Sequence, residues 1–106
     1  MAVILVVTNL PDSESAFNLA RQLVDLRLAA CVNVLPGVAS FYEWENKLEQ
    51  AQEHTLVAKT VRERYAEVEA AIRERHPYTL PEIIVLEVAG GLPDYLAWVE
   101  RGSRTA

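Results

Sequence analysis

The chain has 106 residues, 51% of them hydrophobic, which is enough to bury one core and predicts a single domain. Its 10 Lys and Arg residues are outnumbered by 15 Asp and Glu residues, so the net charge of −5 disfavours nucleic acid as a partner. The longest apolar runs, residues 2–7 and 83–88, fall far short of the ~20 residues that span a bilayer, so no membrane insertion is expected.

The N-terminal residues lack the basic region of a signal peptide, because no Lys or Arg precedes the first apolar run. The single cysteine, Cys31, cannot form an internal disulfide and fits a reducing compartment. Both features lead us to expect a cytoplasmic protein.

The first half of the chain predicts a strand, a helix and a second, interrupted strand. Residues 2–8 are β-branched and aliphatic without polar alternation, which is typical of a strand buried on both faces. Asp12 then precedes an apolar stripe with helical spacing, which predicts the first helix. Residues 29–34 are apolar again, residues 36–37 are the turn-forming pair Pro-Gly, and residues 40–45 alternate, which suits an extended strand with a bulge.

A hairpin, a third strand and a second helix are expected next. Residues 46–47, Asn-Lys, are the expected hairpin tip, and residues 53–60 return as a strand after a polar start that is expected to be frayed or exposed. Thr60 and Glu63 have the spacing of a capping box, in which the threonine hydroxyl would accept a bond from a free helical N–H. The second helix is therefore expected to begin at this point.

The remaining elements complete a known arrangement. The His-Pro pair at residues 76–77 ends the second helical pattern, residues 83–88 predict a fourth strand, and residues 93–102 predict a short final helix. The order predicts an α+β fold, a ferredoxin-like βαββαβ sandwich with an added C-terminal helix. We expect one domain over residues 1–102 and a flexible tail over residues 103–106.

The loop after the first strand disfavours several functions that this fold hosts. Residues 8–12 contain no thiolate pair for Cu(I) and carry an aspartate where an anion-binding loop would need an arginine. The first strand has no aromatic residue on which RNA bases could stack. A module that binds a metal or a small ligand is the class that these observations leave.

Several segments together resemble the CutA family of divalent-cation tolerance proteins. They follow one another in order and spacing through nearly the whole chain, as residues 28–33, 36–37, 40–44, 59–60, 76–78, 81–83 and 95–98. The resemblance implies a ferredoxin-like subunit in a homotrimer related to the PII signal proteins. It also implies a link to tolerance of copper and other divalent metals.

Three residues are candidate metal ligands. His76 leads, because neutral imidazole binds copper and zinc, although a histidine at a helix C-terminus can instead be stabilised by the helix dipole. Glu82 could add an oxygen ligand or pair with a cation of a neighbouring subunit. Cys31 could add a thiolate, but its apolar surroundings favour a buried, unreactive side chain. Two histidines and one cysteine cannot close a four-ligand structural site in one chain, so any metal site is expected to be incomplete or shared.

The candidate ligand-binding residues are Tyr42, Trp44, Lys59 and Tyr78. Tyr42 and Trp44 are expected to share one strand face, with Phe41 on the other, and a subunit interface would bury that face. Lys59 could bind a carboxylate or phosphate, or form an intersubunit ion pair. We therefore expect a non-enzymatic homotrimer that binds a divalent cation such as copper, or a small ligand, in clefts between subunits. The alternative is a PII-like signalling or scaffold trimer that acts through protein partners.

Overall fold

The computed structural model describes residues 2–104 and has the expected order of elements. These are β1 (Val3–Leu10), α1 (Ser13–Asp25), β2 (Cys31–Trp44), β3 (Lys47–Val61), a 3-10 turn (Arg62–Arg64), α2 (Tyr65–Arg75), β4 (Ile84–Glu87) and α3 (Pro93–Gly102). The strands form one antiparallel sheet in the order β2-β3-β1-β4. The predicted α+β class and the ferredoxin-like βαββαβ order with an added C-terminal helix are confirmed. Among residues 2–104, no helix is long and apolar enough to cross a membrane.

The core lies between one face of the sheet and the helices α1 and α2. It is built from alternate residues of the strands and from the apolar stripes of the helices, and its fully buried members include Ile4, Val6, Leu10, Leu19, Leu23, Leu56, Val68 and Ile72. Burying each such side chain stabilises the fold by about 1.5–3 kcal/mol. The alternation in β1 corrects one expectation, because this strand is fully buried on one face only.

The other face of the sheet, which we call the open face, is only partly covered. Leu5 and Val7 of β1 lie there, together with the residues directly opposite them on β3 and β4. Helix α3 packs against part of β1 and β3, but Leu35, Ile84 and Leu86 remain about half exposed. An apolar sheet face of this kind is typical of a surface that another protein chain covers.

Two of the predicted element boundaries are wrong for identifiable reasons. Thr60 does not cap a helix, because it lies in β3 with its side chain fully buried, and its hydroxyl donates a 2.6 Å hydrogen bond to the carbonyl of Leu28. The chain instead passes through the 3-10 turn, and α2 begins at Tyr65 without a side-chain cap. Strand β3 starts at Lys47 rather than at residue 53, because it pairs with β2 along its whole length.

Strands β2 and β3 extend past the rest of the sheet as a hairpin arm, defined here as residues 38–53. The bulge falls between Leu35 and Val38, where Gly37 has φ +70, rather than within residues 40–45. The tip is one residue earlier than expected, since Glu45 and Asn46 have φ 52 and 66 and form the tight turn. The arm gives the molecule its longest dimension of 45 Å.

The end of α3 is anchored against the rest of the domain. Gly102 lies so close to Ala30 that a Cβ atom on the glycine would be 2.7 Å from the Cβ of Ala30. Ser103 is fully buried and donates to the carbonyl of Val99, and the carbonyl of Arg104 accepts a bond from the Arg27 guanidinium. Of the expected flexible tail, Ser103 is buried, Arg104 is exposed but held by the bond to its carbonyl, and residues 105 and 106 lie outside the described residues.

Candidate functional site

A cleft of about 800 Å³ lies where the hairpin arm meets the segment after α2 and the end of β1. We call it the hairpin cleft. Its acidic residues are Glu49, Glu53 and Glu82. Its aromatic residues are Phe41, Tyr42, Trp44 and Tyr78. None of the described residues that line it is basic, so the cleft has an excess of negative charge.

Tyr42 and Trp44 lie on the same face of the arm, because they occupy alternate positions opposite Glu49 and Lys47. Both rings line the hairpin cleft and are about half exposed. Phe41, expected on the other face, also lines the cleft. The right-handed twist of a long two-stranded ribbon explains how neighbouring positions reach one cleft.

Glu53 is the most buried acid of the cleft, with 7% of its surface exposed. The phenol of Tyr78 donates a 3.0 Å hydrogen bond to its Oε2 atom. Burial and this bond to the Glu53 carboxylate raise the pKa of Tyr78 to about 12. The tyrosine therefore stays a neutral donor over the physiological range and leaves the charge of Glu53 uncompensated.

Glu82 also lines the cleft and is held by a short chain of hydrogen bonds between neutral groups. The side-chain amide of Asn9 donates to Glu82 Oε1 at 3.1 Å, and the hydroxyl of Thr55 donates to Asn9 Oδ1 at 2.6 Å. The second bond fixes the orientation of the amide, so that its NH₂ group faces the carboxylate. Glu82 is thus positioned without losing its charge.

His76 lies beside the cleft rather than in it, and only 8% of its surface is exposed. Its Nδ1 atom accepts a hydrogen bond from the backbone N–H of Tyr78, and its Nε2 atom lies 2.6 Å from the carbonyl oxygen of Asn9. Because a carbonyl only accepts, Nε2 carries the proton and donates. Both nitrogens are occupied, so in this conformation His76 positions residues 76–78 and offers no lone pair to a metal.

Lys59 and Cys31 lie in a different part of the molecule. They are direct cross-strand neighbours on the open face, six residues along β3 from Glu53, which corresponds to roughly 20 Å. Lys59 lines a second cleft of about 470 Å³ beneath α3, which we call the α3 cleft. Its ammonium donates to the hydroxyl of Tyr95 at 3.2 Å.

The structure thus divides the predicted site residues between two clefts. Tyr42, Trp44, Tyr78 and Glu82 come together in the hairpin cleft, whereas Lys59 does not join them. Of the three expected metal ligands, His76 and Glu82 both contact Asn9, whereas Cys31 lies elsewhere on the sheet, and within residues 2–104 no group of three or more His, Cys, Asp or Glu side chains could hold a metal ion.

Sequence reasoning missed Asn9, Glu49 and Glu53. A signal for the two glutamates was present, because Glu49, Ala51 and Glu53 alternate with a period of two and so share one face of a strand. Assigning this stretch to a frayed segment hid that pattern. Asn9 had no local signal, since its role depends on its contacts with residues 46 and 73 positions away.

The profile of the family described as CutA1 divalent ion tolerance protein matches residues 4–102. The chain is 45% identical over 96 residues to a divalent-cation tolerance protein CutA of Yersinia pestis, covering 91% of this chain and 81% of the relative. It is 37% identical over 99 residues to the Thermus thermophilus protein of the same name, covering 93% and 96%. The crystal structure of CutA1 from Oryza sativa superposes with a TM-score of 0.96 at 33% identity, covering 100% of this chain and 97% of that one.

Proposed function

The chain belongs to the CutA1 family of divalent ion tolerance proteins, and from this relationship we propose that it is a metal-responsive homotrimer. In this proposal the hairpin cleft binds a divalent cation such as Cu(II), or a small cationic ligand, and a neighbouring copy completes the site. The protein is proposed to act in the cytoplasm, without enzymatic activity and without nucleic acid.

The observation that carries the proposal is the charge of the hairpin cleft. Three carboxylates line it, and the two most closely held, Glu53 and Glu82, accept their side-chain hydrogen bonds from the neutral donors Tyr78 and Asn9. Carboxylate oxygens are suitable ligands for divalent cations, and a cation would offset the cost of bringing these charges together. The cleft is therefore better suited to a cation than to an anion.

The need for a second copy follows from the same cleft. Because the described part of one chain has no cluster that could hold a metal alone, additional donors must come from water or another subunit. The half-exposed Tyr42 and Trp44, together with Leu48 at 79% exposure, are surfaces that a neighbouring chain would cover. Assembly would therefore bury these aromatic side chains and, at the same time, complete the metal site.

Equilibrium dialysis against Cu(II) and Zn(II), together with sedimentation, tests this function. We expect particles of three times the 11.9 kDa chain mass, and saturable metal uptake that Glu82→Gln reduces. Glu74→Gln is the matched control, because Glu74 is exposed on α2 and away from both clefts. Single chains in solution, or uptake that Glu82→Gln and the native protein share at a negligible level, would reject the proposal.

The hairpin arm also supports the alternative function, a PII-like signalling or scaffold trimer. Phe41 and Leu48 are 63% and 79% exposed near the tip of the arm, so apolar surface is available there for a partner protein. A stoichiometric partner whose binding Leu48→Asp abolishes, with no specific uptake of metal, would favour this function over metal binding. If Leu48→Asp loses the partner but takes up metal as the native protein does, then partner binding and metal binding are independent activities.

A further inference from the structure

Two series of hydrogen bonds in the wall of the hairpin cleft meet at Asn9. Its side-chain amide donates to Glu82 Oε1 at 3.1 Å, and its backbone carbonyl accepts the 2.6 Å bond from Nε2 of His76. The second series continues to the other carboxylate, because Nδ1 of His76 accepts from the backbone N–H of Tyr78, whose phenol donates to Glu53. One residue thus connects the two most closely held carboxylates of the cleft.

The orientation of the Asn9 amide is set from outside the cleft. Thr55 lies directly opposite Asn9 in the pairing of β1 with β3, and it is not among the described residues that line the cleft. Its hydroxyl donates to Asn9 Oδ1 at 2.6 Å, so Oδ1 is the acceptor and the NH₂ group faces Glu82. With the amide reversed, its oxygen would face the carboxylate and no proton would lie between the two acceptors. The Thr55 hydroxyl therefore selects the orientation that holds Glu82.

This network is made entirely within one chain. Asn9 and Thr55 are partly buried, and His76 has only 8% of its surface exposed. Because the same chain supplies every donor and acceptor, the network requires neither an open surface nor a second copy. A neighbouring copy that covers the cleft would find these carboxylates already held.

We propose that Asn9 is the positioning residue of the cation site in the hairpin cleft and that Thr55 sets its orientation, an inference that rests on the proposed function. Asn9 does not bind the cation here; it holds the Glu82 carboxylate and, through His76, the segment that carries Tyr78. Replacing residues that orient metal ligands through hydrogen bonds typically weakens metal binding about 10–100-fold. A hydroxyl that does not line the cleft should therefore control the affinity for a cation bound inside it.

Three threonine variants separate this role from ordinary packing. Thr55→Val removes the hydroxyl at nearly constant shape, and Thr55→Ser keeps a hydroxyl without the methyl group. Thr8→Val is the matched control, because Thr8 precedes Asn9 on β1 and is fully buried, and its hydroxyl has no hydrogen-bond partner within residues 2–104. Asn9→Leu removes the amide itself and provides a second test, and circular dichroism identifies the variants that fold.

The first measurement uses the metal-free protein. Solvent exchange of the Asn9 side-chain amide protons, followed by NMR, reports how firmly the amide is held. We expect exchange at least about fivefold faster in Thr55→Val, because the amide loses the bond that fixes it. Exchange in Thr55→Ser and Thr8→Val should match that in the native protein. Unchanged exchange in Thr55→Val would overturn the proposal.

The second measurement is equilibrium dialysis against Cu(II). Thr55→Val and Asn9→Leu should each weaken binding about tenfold. The protein with both substitutions should bind no more weakly than Asn9→Leu alone, because the hydroxyl acts only through the amide. Thr55→Ser and Thr8→Val should bind Cu(II) as the native protein does, which a general loss of packing would not produce.

The results distinguish this proposal from the proposed function. Equal Cu(II) affinity in Thr55→Val and the native protein would overturn the positioning role and leave the cation site in place. Additive losses in the protein with both substitutions would do the same. An absence of saturable uptake by the native protein would instead reject the cation site, and the positioning role with it.

Discussion

The phenol of Tyr78 donates a 3.0 Å hydrogen bond to Oε2 of Glu53, which joins the segment after α2 to the hairpin arm. The two residues are 25 positions apart, and the bond closes one side of the hairpin cleft. Because Glu53 is buried and Tyr78 remains neutral, this contact positions a negative charge without cancelling it. One hydrogen bond therefore links two segments that line the cleft and holds one of its acidic residues.

Removing the Tyr78 hydroxyl should destabilise the fold. Tyr78→Phe leaves the buried Glu53 carboxylate without this donor, and the expected loss in the free energy of unfolding is about 1–3 kcal/mol. Urea unfolding at a fixed protein concentration measures it. Tyr42→Phe is the control, because it removes the hydroxyl of a half-exposed tyrosine of the same cleft and should have a smaller effect. Equal losses in both variants would argue against a special role for the bond to Glu53.

The same tyrosine should give the protein an alkaline limit. Burial and the bond to Glu53 raise the pKa of Tyr78 from 10.0 to about 12, so the folded state favours the neutral phenol. The resulting stabilisation is fully present below pH 10 and is lost as the pH rises towards 12. Unfolding curves measured across this interval, with tyrosinate absorbance, should show a fall that Tyr78→Phe lacks. Parallel curves for the two proteins would contradict the assignment.

Asp12 should contribute an acid-sensitive part of the stability. Its carboxylate accepts a 2.8 Å bond from the backbone N–H of Ser15, which caps α1 and lowers the pKa of Asp12 from 3.8. A lowered pKa gives stability that is present above pH 3.8 and is lost as the pH falls below it. Asp12→Ala should destabilise the protein at neutral pH. Asp12→Asn should retain a cap there but lose this acid dependence, and an unchanged acid limb in Asp12→Asn would disprove the mechanism.

Close packing at the C-terminus makes Gly102 sensitive to a single methyl group. Gly102→Ala places its Cβ atom 2.7 Å from the Cβ of Ala30, and relieving that overlap should cost about 1–3 kcal/mol in thermal or urea unfolding. Ala30→Gly in the same chain should recover part of the loss. Gly90→Ala is the matched control, since nothing lies within 4 Å of the position that its new Cβ atom would take. A harmless Gly102→Ala would show that α3 can shift freely.

An assembly that covers the aromatic wall of the hairpin cleft should be disrupted by a charge at Trp44. Trp44→Asp would place a carboxylate in a desolvated contact beside Glu49 and should yield single chains or aggregates on a sizing column. Phe17→Asp is the control, because Phe17 is exposed to a similar degree but lies on α1. Identical elution of Trp44→Asp and the native protein would place the assembly surface elsewhere.

Elements with a strong local pattern were predictable from the sequence, and contacts between distant segments were not. The alternation of Tyr42 and Trp44 and the break at His76-Pro77 are local signals, and the structure retains both. Thr60 has the spacing of a helix-capping residue, but its backbone belongs to β3. Its hydroxyl donates to the carbonyl of Leu28 instead of accepting from a helical N–H. The engagement of both His76 nitrogens depends on Asn9, 67 positions away.

The separation of Lys59 from Glu82 was likewise invisible in the sequence. Both residues belong to motifs of one family, and this common membership suggested a common cleft between subunits, whereas the structure describes where they lie within one chain. Only the register of β3 against β1 shows that Lys59 lies opposite Leu5, whereas the Asn9 that holds Glu82 lies opposite Thr55. Side chains on one sheet face can thus serve different clefts when several residues separate them along the strand.

Strand β2 is an edge strand of the sheet, and this position affects how newly made copies of the protein behave before they assemble. Except at the bulge of residues 36–37, the residues of β2 pair with β3 on one side, and its other edge has no partner strand within the described sheet. The bulge interrupts this edge at residues 36–37, but the stretches on either side of it are templates on which further strands can add, so chains that fold without assembling would be prone to aggregate. Cells that overproduce such a protein would then depend on rapid association, or on chaperones, to keep newly made copies in solution.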